Sequence, residues 1–328
     1  MNKTYILIIK RDDFDFKEIL GIPLLYYHFL RARNQNSSLF LVTEDQKYID
    51  FFNNCKLEKE ISDNCYITLS NCFEKDVKFN LTKKEALKII ESKEIKEKEF
   101  IIRTNKDFYS FRNIVKEYIN FKFIENGVDI ENISTTYIGP EVNIEKGTKI
   151  TGDTHIYGKS CIGKNNLISS SYIENTNIKD DNKILNSHIV GAMIGCKNEI
   201  GPFCRMRGKA VIDNECVLGN FVEIKSSNIK DHVKIKHLSY IGDTFIEKNV
   251  NIGCGFVTAN YDGKRKYPTT IEENVFVGCN TTIVSPVTLK ENCFIAAGSV
   301  ITKDVEKNDL AIARSRQINK TNYVKQKK

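Results

Sequence analysis

From Ile138 onward the chain places an aliphatic residue at every sixth position. Ile138, Ile144, Ile150, Ile156, Ile162 and Ile168 keep that interval without a slip. Shortened steps lead through Ile173, Ile178, Ile184, Ile189 and Ile194 to Ile200, and sixes resume at Met206, Ile212, Leu218 and Ile224. After one five-residue step come Ile229, Ile235 and Ile241, then Ile246, Ile252 and Thr258. The series skips thirteen positions to Ile271 and runs on through Val277, Ile283, Leu289, Ile295 and Ile301. A period of six fits neither an α-helix nor a coiled coil. It is the mark of a parallel β-helix, in which three short strands close one triangular coil and one aliphatic residue per side stacks on its counterpart in the next coil. The span predicts about nine coils, where roughly three would suffice for stability. The period leaves handedness open, and parallel crossovers in general are right-handed.

Upstream of the array the pattern is different. Tyr5-Ile6-Leu7-Ile8-Ile9 and Leu39-Phe40-Leu41-Val42 read as buried parallel strands, with weaker strands at Cys65 to Leu69 and Glu99 to Arg103. Helices are predicted from Gly21-Ile22-Pro23 through Arg33, from Gln46 to Asn53 and from Thr82 to Lys98. Such alternation favours a partly parallel α/β sheet. Between Asn105 and Glu125, Phe108, Phe111, Val115, Tyr118 and Lys122 share one helical face, widened by Ile114 and Phe121, and Asn126-Gly127 supplies a C-cap. The organisation expected is a small α/β domain over residues 1–104, a connecting helix over 105–132, a β-helix over 133–314 and a basic tail over 315–328. The fold class is mixed α/β plus all-β.

Composition narrows the function classes. The 328 residues carry a net charge of +7, much of it in the tail, where Arg314, Arg316, Lys320, Lys325, Lys327 and Lys328 meet no acid. With only Tyr323 beside these cations, the tail does not resemble a nucleic-acid surface. No run approaches the roughly 18 apolar residues of a membrane span, and no signal peptide is read at Met1. Ten cysteines occur without a C-x-x-C pair. Cys161, Cys216, Cys254, Cys279 and Cys293 read as small apolar residues of a reduced, cytoplasmic protein. Phosphate cradling needs glycines after a strand. After Ile9 the chain instead offers Asp12, Asp13 and Asp15, an acidic turn. No His/Cys/Asp spacing suits a metal.

Candidate chemistry gathers in the second half of the array. Arg207 and Lys225 are eighteen residues apart, so a regular coil stacks one on the other about 5 Å away. Left unpaired they would hold an anion, phosphate above all. Pairing with Glu223 or Asp243 is the structural alternative. Tyr240 belongs to the neighbouring coil, and Lys266 to the loop that interrupts the repeat, Asn260-Tyr261-Asp262-Gly263-Lys264-Arg265-Lys266. Between the cations and that loop stands His237, a candidate base with an ordinary pKa near 6.5. His28, His155, His188 and His232 lack such company and read as structural.

These segments also carry a resemblance. Ile200-Gly201-Pro202-Phe203-Cys204-Arg205-Met206-Arg207, Gly219 to Lys225, His237 to Asp243, Asn251 to Gly255, Asn260 to Gly263 and Ala311 to Arg314 follow one another as in a known family. The chain resembles the acetyltransferase half of the bifunctional N-acetylglucosamine-1-phosphate uridyltransferase/glucosamine-1-phosphate acetyltransferase family. The match is close from about Ile200 to Lys328 and weaker back to Asn105, some two thirds of the sequence.

The resemblance implies a left-handed β-helix and a homotrimer with sites between subunits. It implies acetyl transfer from acetyl-CoA to the 2-amino group of glucosamine 1-phosphate, within UDP-N-acetylglucosamine and cell-wall biosynthesis. By the same resemblance His237 is the general base, while Arg207, Lys225, Tyr240, Asn251 and Lys266 contact the sugar phosphate. Cys254, Asn260, Tyr261, Cys279, Ala297 and Arg314 take the acetyl-CoA positions. Departures are Cys254 for Ala or Gly, Cys279 for Ser, Gly208 for Pro and Tyr323 for Trp. The front of the chain lacks the family's glycine-rich L-A-A-G-x-G-T-R-M-type loop, and Asn105 finds no aspartate partner. Residues 1–104 thus read as a degenerate nucleotidyltransferase-like domain without uridyltransferase activity. The alternatives are acetylation of another amino-sugar phosphate or nucleotide sugar, and a non-catalytic trimeric scaffold.

Overall fold

The computed structural model describes residues 105–324 together with the strands Thr4–Ile8, Glu18–Ile19, Ile22–Pro23 and Ser38–Val42. Contacts divide the chain into two units, Met1–Val115 and Lys116–Lys328. In the first, Thr4–Ile8 lies parallel to Ser38–Val42, as the two apolar runs predict. The helix expected from Gly21 does not begin there, because Ile22–Pro23 pairs antiparallel with Glu18–Ile19. The residue before a proline is pushed towards extended backbone, and here that bias outweighs proline's fitness for a first helical turn. The helices expected at 24–33, 46–53 and 82–98, the strands at 65–69 and 99–103 and the acidic turn at 12–15 lie outside the described residues.

Helix α1 spans Asn105–Glu125 and ends as the sequence predicts. Gly127, at φ +88°, donates to the Ile124 carbonyl, and Val128 to that of Phe123. The buried face is not the predicted one. Ile114, Tyr118 and Phe121 are exposed, whereas Lys116, Ile119 and Asn120 are buried. Lys116 Nζ donates to the Ser134 carbonyl at 2.7 Å, and Asn120 Nδ2 to those of Ile133 and Thr136 at 3.3 and 3.0 Å. Carbonyls at the start of the solenoid need donors, and satisfying them outranks the apolar stripe.

The array forms a left-handed parallel β-solenoid of about 11 turns. More turns fit than the nine expected, because the stacking begins at Asp129–Ile130, before Ile138, and several coils advance by fewer than eighteen residues. Three faces alternate. One runs from Asp129–Ile130 to Leu310–Ala311, a second from Thr136–Ile138 to Val300–Ile301 and a third from Asn143–Ile144 to Val287–Leu289. Every aliphatic position of the six-residue series is buried, and Thr258 is buried among them. The interior is therefore a stack of like on like, with each side chain filling the space above its counterpart. Ile241, fully buried, lies mid-stack. Ile241→Ala is expected to lower unfolding stability by about 2–5 kcal/mol through the cavity it leaves, measured by urea denaturation.

Corners where the faces meet are left-handed in backbone. Asn165, Asn175, Asp181, Asn186, Asn249, Asn274, Asn280 and Asn292 all have φ between 43° and 61°. Asn and Asp tolerate that region best among residues with a side chain. Three bulky residues do the same on one corner: Phe203, Phe221 and Leu238, at φ 60°, 59° and 41°. They are 55–59% exposed, and the two phenyl rings stack at 5.4 Å. That corner adjoins the candidate site. Among the described residues no helix is long and apolar enough to cross a membrane.

Candidate active site

Lys225, His237 and Tyr240 are carried by two strands, Val217–Lys225 and Lys234–Gly242, each nine residues long. Elsewhere in the solenoid the strands are two to four residues and break at each corner. These two continue around the corner from the first face to the second, and their ladder pairs Asn220 with His237, Glu223 with Tyr240 and Lys225 with Gly242. His237 is thus held on a hydrogen-bonded strand. Its ring is exposed, and Nδ1 lies 3.0 Å from Asn220 Oδ1. An amide oxygen only accepts, so Nδ1 carries the hydrogen and Nε2 keeps its lone pair towards solvent. Asn220 was not singled out in the sequence. The signal was available, since it stands seventeen residues, one coil, before His237.

The same offset carries the corner onward. Lys234 and Ile235 pair with Asn251 and Ile252, and Gly255 N–H donates to the Leu238 carbonyl, so Cys254 stacks on His237. Asn280 N–H donates to the Cys254 carbonyl and Gly298 N–H to that of Cys279, which sets Cys279 on Cys254 and Ala297 on Cys279. Arg314 closes the series, its Nη1 2.7 Å from the Ala297 carbonyl. One column therefore reads Asn220, His237, Cys254, Cys279, Ala297. Each member precedes a left-handed residue: Phe221, Leu238, Gly255, Asn280, Gly298. The candidate base and four of the positions assigned to acetyl-CoA share this edge. Cys279 is exposed and Cys254 half-buried, so neither packs in the core, nor does exposed Cys161. Cys204, Cys216 and Cys293 are the buried ones, and burial pushes their thiols up to about 12, 12 and 11.

On the second face Arg207 and Lys225 are register partners, as their spacing predicts. They are not unpaired. Arg207 Nε and Nη2 meet Glu223 Oε1 at 2.8 and 2.7 Å, and Lys225 Nζ meets both oxygens of Asp243 at 3.0 and 2.7 Å. The structural alternative holds for these two, because cations this close lower their mutual repulsion by recruiting the nearest carboxylates. The third cation alters the balance. Lys266 has its pKa held below the ordinary lysine value, first by hydrogen bonding with Lys225, then by the charges of Lys225 and Arg207. Burial pulls Lys225 down, but Asp243 and Lys266 outweigh it and its pKa ends above the ordinary value. Three cations thus face two carboxylates, and the excess is positive.

Asp243 also joins this cluster to the loop. It accepts from Asn260 Nδ2 at 2.6 Å, and Asn260 is buried. Gly242 lies between Tyr240 and Asn260, and a Cβ there would stand 2.6 Å from Tyr240 Oη and 2.7 Å from Asn260 Nδ2. Only glycine lets those groups approach. The loop folds back through a bridge between Tyr261 and Lys266 and a hydrogen bond from Tyr267 N–H to the Asn260 carbonyl. Its hub is Asp262, which accepts from Lys264 and Arg265 N–H at 2.7 and 2.6 Å and from Tyr267 Oη at 3.0 Å. Those N–H groups hold the Asp262 carboxyl below the usual range. A depressed carboxyl stabilises above its unfolded pKa and loses that contribution as pH falls through the folded value. Proteolytic cleavage at Lys264 and Arg265 is therefore expected to accelerate below about pH 4, and Asp262→Ala to accelerate it at neutral pH.

Not every candidate joins the others. Asn251 stands on the first face, between Lys234 and Phe276, away from Arg207 and Lys225 on the second. Tyr261 projects from the loop, 60% exposed. His155 is stacked between Tyr137 and Tyr172, and His232 lies 3.4 Å from Glu215, in keeping with structural roles.

Known proteins bear on this geometry. The family described as Bacterial transferase hexapeptide (six repeats) matches residues 268–303. The chain is 42% identical over 212 residues to the bifunctional protein GlmU of Staphylococcus haemolyticus (strain JCSC1435), which covers 64% of this chain and 47% of that protein. It is 45% identical over 212 residues to GlmU of Geobacillus sp. (strain WCH70), covering 64% of this chain and 46% of that one. The chain spans about half the length of the curated relatives it matches. Among solved structures, LpxA, a UDP-N-acetylglucosamine acyltransferase from Bacteroides fragilis 9343, aligns at 17% identity with a TM-score of 0.40, over 53% of this chain and 70% of that one. The resemblance read from the motifs is borne out in sequence, and the C-terminal two thirds of this chain is a hexapeptide-repeat domain homologous to part of the GlmU proteins.

Proposed function

We propose that the solenoid is an acetyl-CoA-dependent N-acetyltransferase acting on glucosamine 1-phosphate. The observation that carries this reading is the column of Asn220, His237, Cys254, Cys279 and Ala297 bordering the Arg207, Lys225 and Lys266 cluster. The cluster's positive excess suits a sugar phosphate, and the column supplies a base next to a wall of small side chains. Homology to part of the bifunctional GlmU proteins supports acyl transfer to a sugar.

In this mechanism the phosphate rests on the cations and the sugar lies along the strands towards His237. An amine attacks a thioester only when neutral. As nitrogen bonds to the acetyl carbon, His237 Nε2 takes the ammonium proton, and the imidazolium that forms is held through Nδ1–H by Asn220. The carbon–sulfur bond then breaks and the CoA thiolate leaves, able to receive that proton. Fixing the amine against the carbonyl supplies much of the acceleration. On this reading, which follows the family resemblance, the site lies between subunits of a trimer and residues 1–104 carry out no uridylyl transfer.

The test is release of CoA thiol by the purified chain with acetyl-CoA and glucosamine 1-phosphate, beside a UTP-dependent pyrophosphate assay. Thiol release with the 1-phosphate and none with glucosamine supports the reading. Release that ignores the phosphate would instead indicate another amino-sugar acceptor, and no release with any amino sugar would indicate a scaffold.

A further inference from the structure

We infer that Cys254 and Cys279 form an oxidisable dithiol that hydrogen peroxide converts to a disulfide across two adjacent coils. Both thiols are free, one half-buried and the other exposed. The hydrogen bond from Asn280 N–H to the Cys254 carbonyl, at 2.7 Å, fixes them in register, as does pairing of Ile252 with Val277 two residues earlier. In-register positions on neighbouring parallel strands have Cα atoms about 4.8 Å apart, within the roughly 4.4–6.8 Å that a disulfide spans. Side chains at the same register point the same way, so the two sulfurs face a common volume.

Their neighbours supply the rest of the site. One coil before Cys254 stands His237, whose free Nε2 can accept a thiol proton. One coil after Cys279 stands Ala297, small enough to leave the edge open to a reagent. No other described cysteine has a cysteine opposite. Cys161 lies between Asn143 and Asn177, and Cys196 receives the Asn214 side chain at its own N–H. Cys204, Cys216 and Cys293 are buried.

The chemistry balances with the peroxide as sole oxidant. One thiolate attacks the peroxide oxygen, the O–O bond breaks, and a sulfenic acid forms as water leaves. The second thiolate attacks that sulfur, the S–S bond forms and a second water leaves. Two thiols lose two hydrogens and the peroxide is reduced to two waters. A thiol reductant reverses the change. On the reading proposed above, these residues line the acetyl-CoA wall, so the disulfide would turn both side chains towards each other, reshape the wall where the donor binds and stop acetyl transfer reversibly.

The experiment treats the reduced full-length chain with hydrogen peroxide, blocks remaining thiols and maps cysteine peptides by mass spectrometry. The expected result is a linked peptide pair containing Cys254 and Cys279, lighter by two hydrogens and separated by dithiothreitol, while Cys161 and Cys196 stay reduced at the same dose. Cys279→Ser should abolish the linked pair and leave a sulfenic acid on Cys254 that dimedone captures. Cys254 and Cys279 recovered unlinked, or oxidised no faster than Cys161, would overturn the inference. Acetyl transfer is followed in the same samples and should fall roughly a hundredfold on oxidation and return with reductant. A linked pair in a protein with no acetyl transfer supports the dithiol and counts against the acetyltransferase reading. Full transfer in a protein that never forms the pair does the reverse.

Discussion

His237→Ala is expected to lower kcat for acetyl transfer by roughly 10²–10⁴-fold, the range a positioned general base contributes. The KM for sugar phosphate should move little, because on the proposed mechanism the ring would face the reacting amine and the phosphate would rest on the second face. This split separates a base from a structural histidine. His237 is exposed and hydrogen-bonded only to the Asn220 side chain, so its removal leaves no buried group unsatisfied and thermal stability should hold. The pH–rate profile of kcat should change shape in the variant, since a general base contributes a pH-dependent step that a structural side chain does not. Equal losses at every pH, together with a lower melting temperature, would assign the histidine to the scaffold.

Lys225→Ala is the second large effect, and it should appear in the opposite parameter. Its side chain is 12% exposed and pairs with Asp243, so alanine removes a charge-assisted contact and leaves the carboxylate with the Asn260 amide but without its cation. A contact to a charged group contributes about 1.5–3 kcal/mol, which predicts a rise of roughly 10–150-fold in the acceptor KM. The KM for acetyl-CoA should stay near its parent value. Lys266 gives the accompanying pH dependence. Its lowered pKa means that its charge is disfavoured in the fold, and the penalty is present at pH values below that pKa. An anion on the cluster relieves it. Inorganic phosphate should therefore raise the melting temperature at neutral pH, and the gain should fade as pH climbs through the lowered Lys266 value, earlier than an ordinary lysine would allow. A phosphate effect unchanged in Lys225→Ala would place the anion elsewhere.

Much of the solenoid was legible because its core is periodic. A six-residue aliphatic series points to a triangular parallel β-helix, though not to its hand, and every aliphatic member found the interior. The extra turns were not, since Asp129–Ile130 joins the stack before the strict spacing begins. Helix α1 illustrates a different limit. Its apolar stripe read correctly as amphipathic, yet Lys116 and Asn120 face inward to meet carbonyls whose location only the fold reveals. Within the site, Arg207 over Lys225 followed from a separation of one coil. Glu223 and Asp243 were legible as the alternative partners, but whether the cations would pair with them or stay open to an anion rests on side-chain geometry that spacing leaves undetermined. Asn220 and the stacking of His237 on Cys254 could have been found by subtracting or adding seventeen. The short coils hid that arithmetic, as eighteen was the period in view.

The stacked coils also give the candidate site a gradient of local opening. A solenoid coil is held by the coils directly before and after it, so the free energy needed to open a coil depends on its distance from an end. The strands of the acceptor cluster lie mid-stack, with paired coils on both sides. Cys279, Ala297 and Arg314 belong to the final turns, where Leu310–Ala311 pairs on one side only among the described residues. Thermal fraying from that end would loosen Cys279, Ala297 and Arg314, the wall proposed for the donor, while the cations remain in register. The two halves of one site therefore inherit different lifetimes of order from their rank in the stack, and amide exchange should be slower at Ile224 than at Ile295.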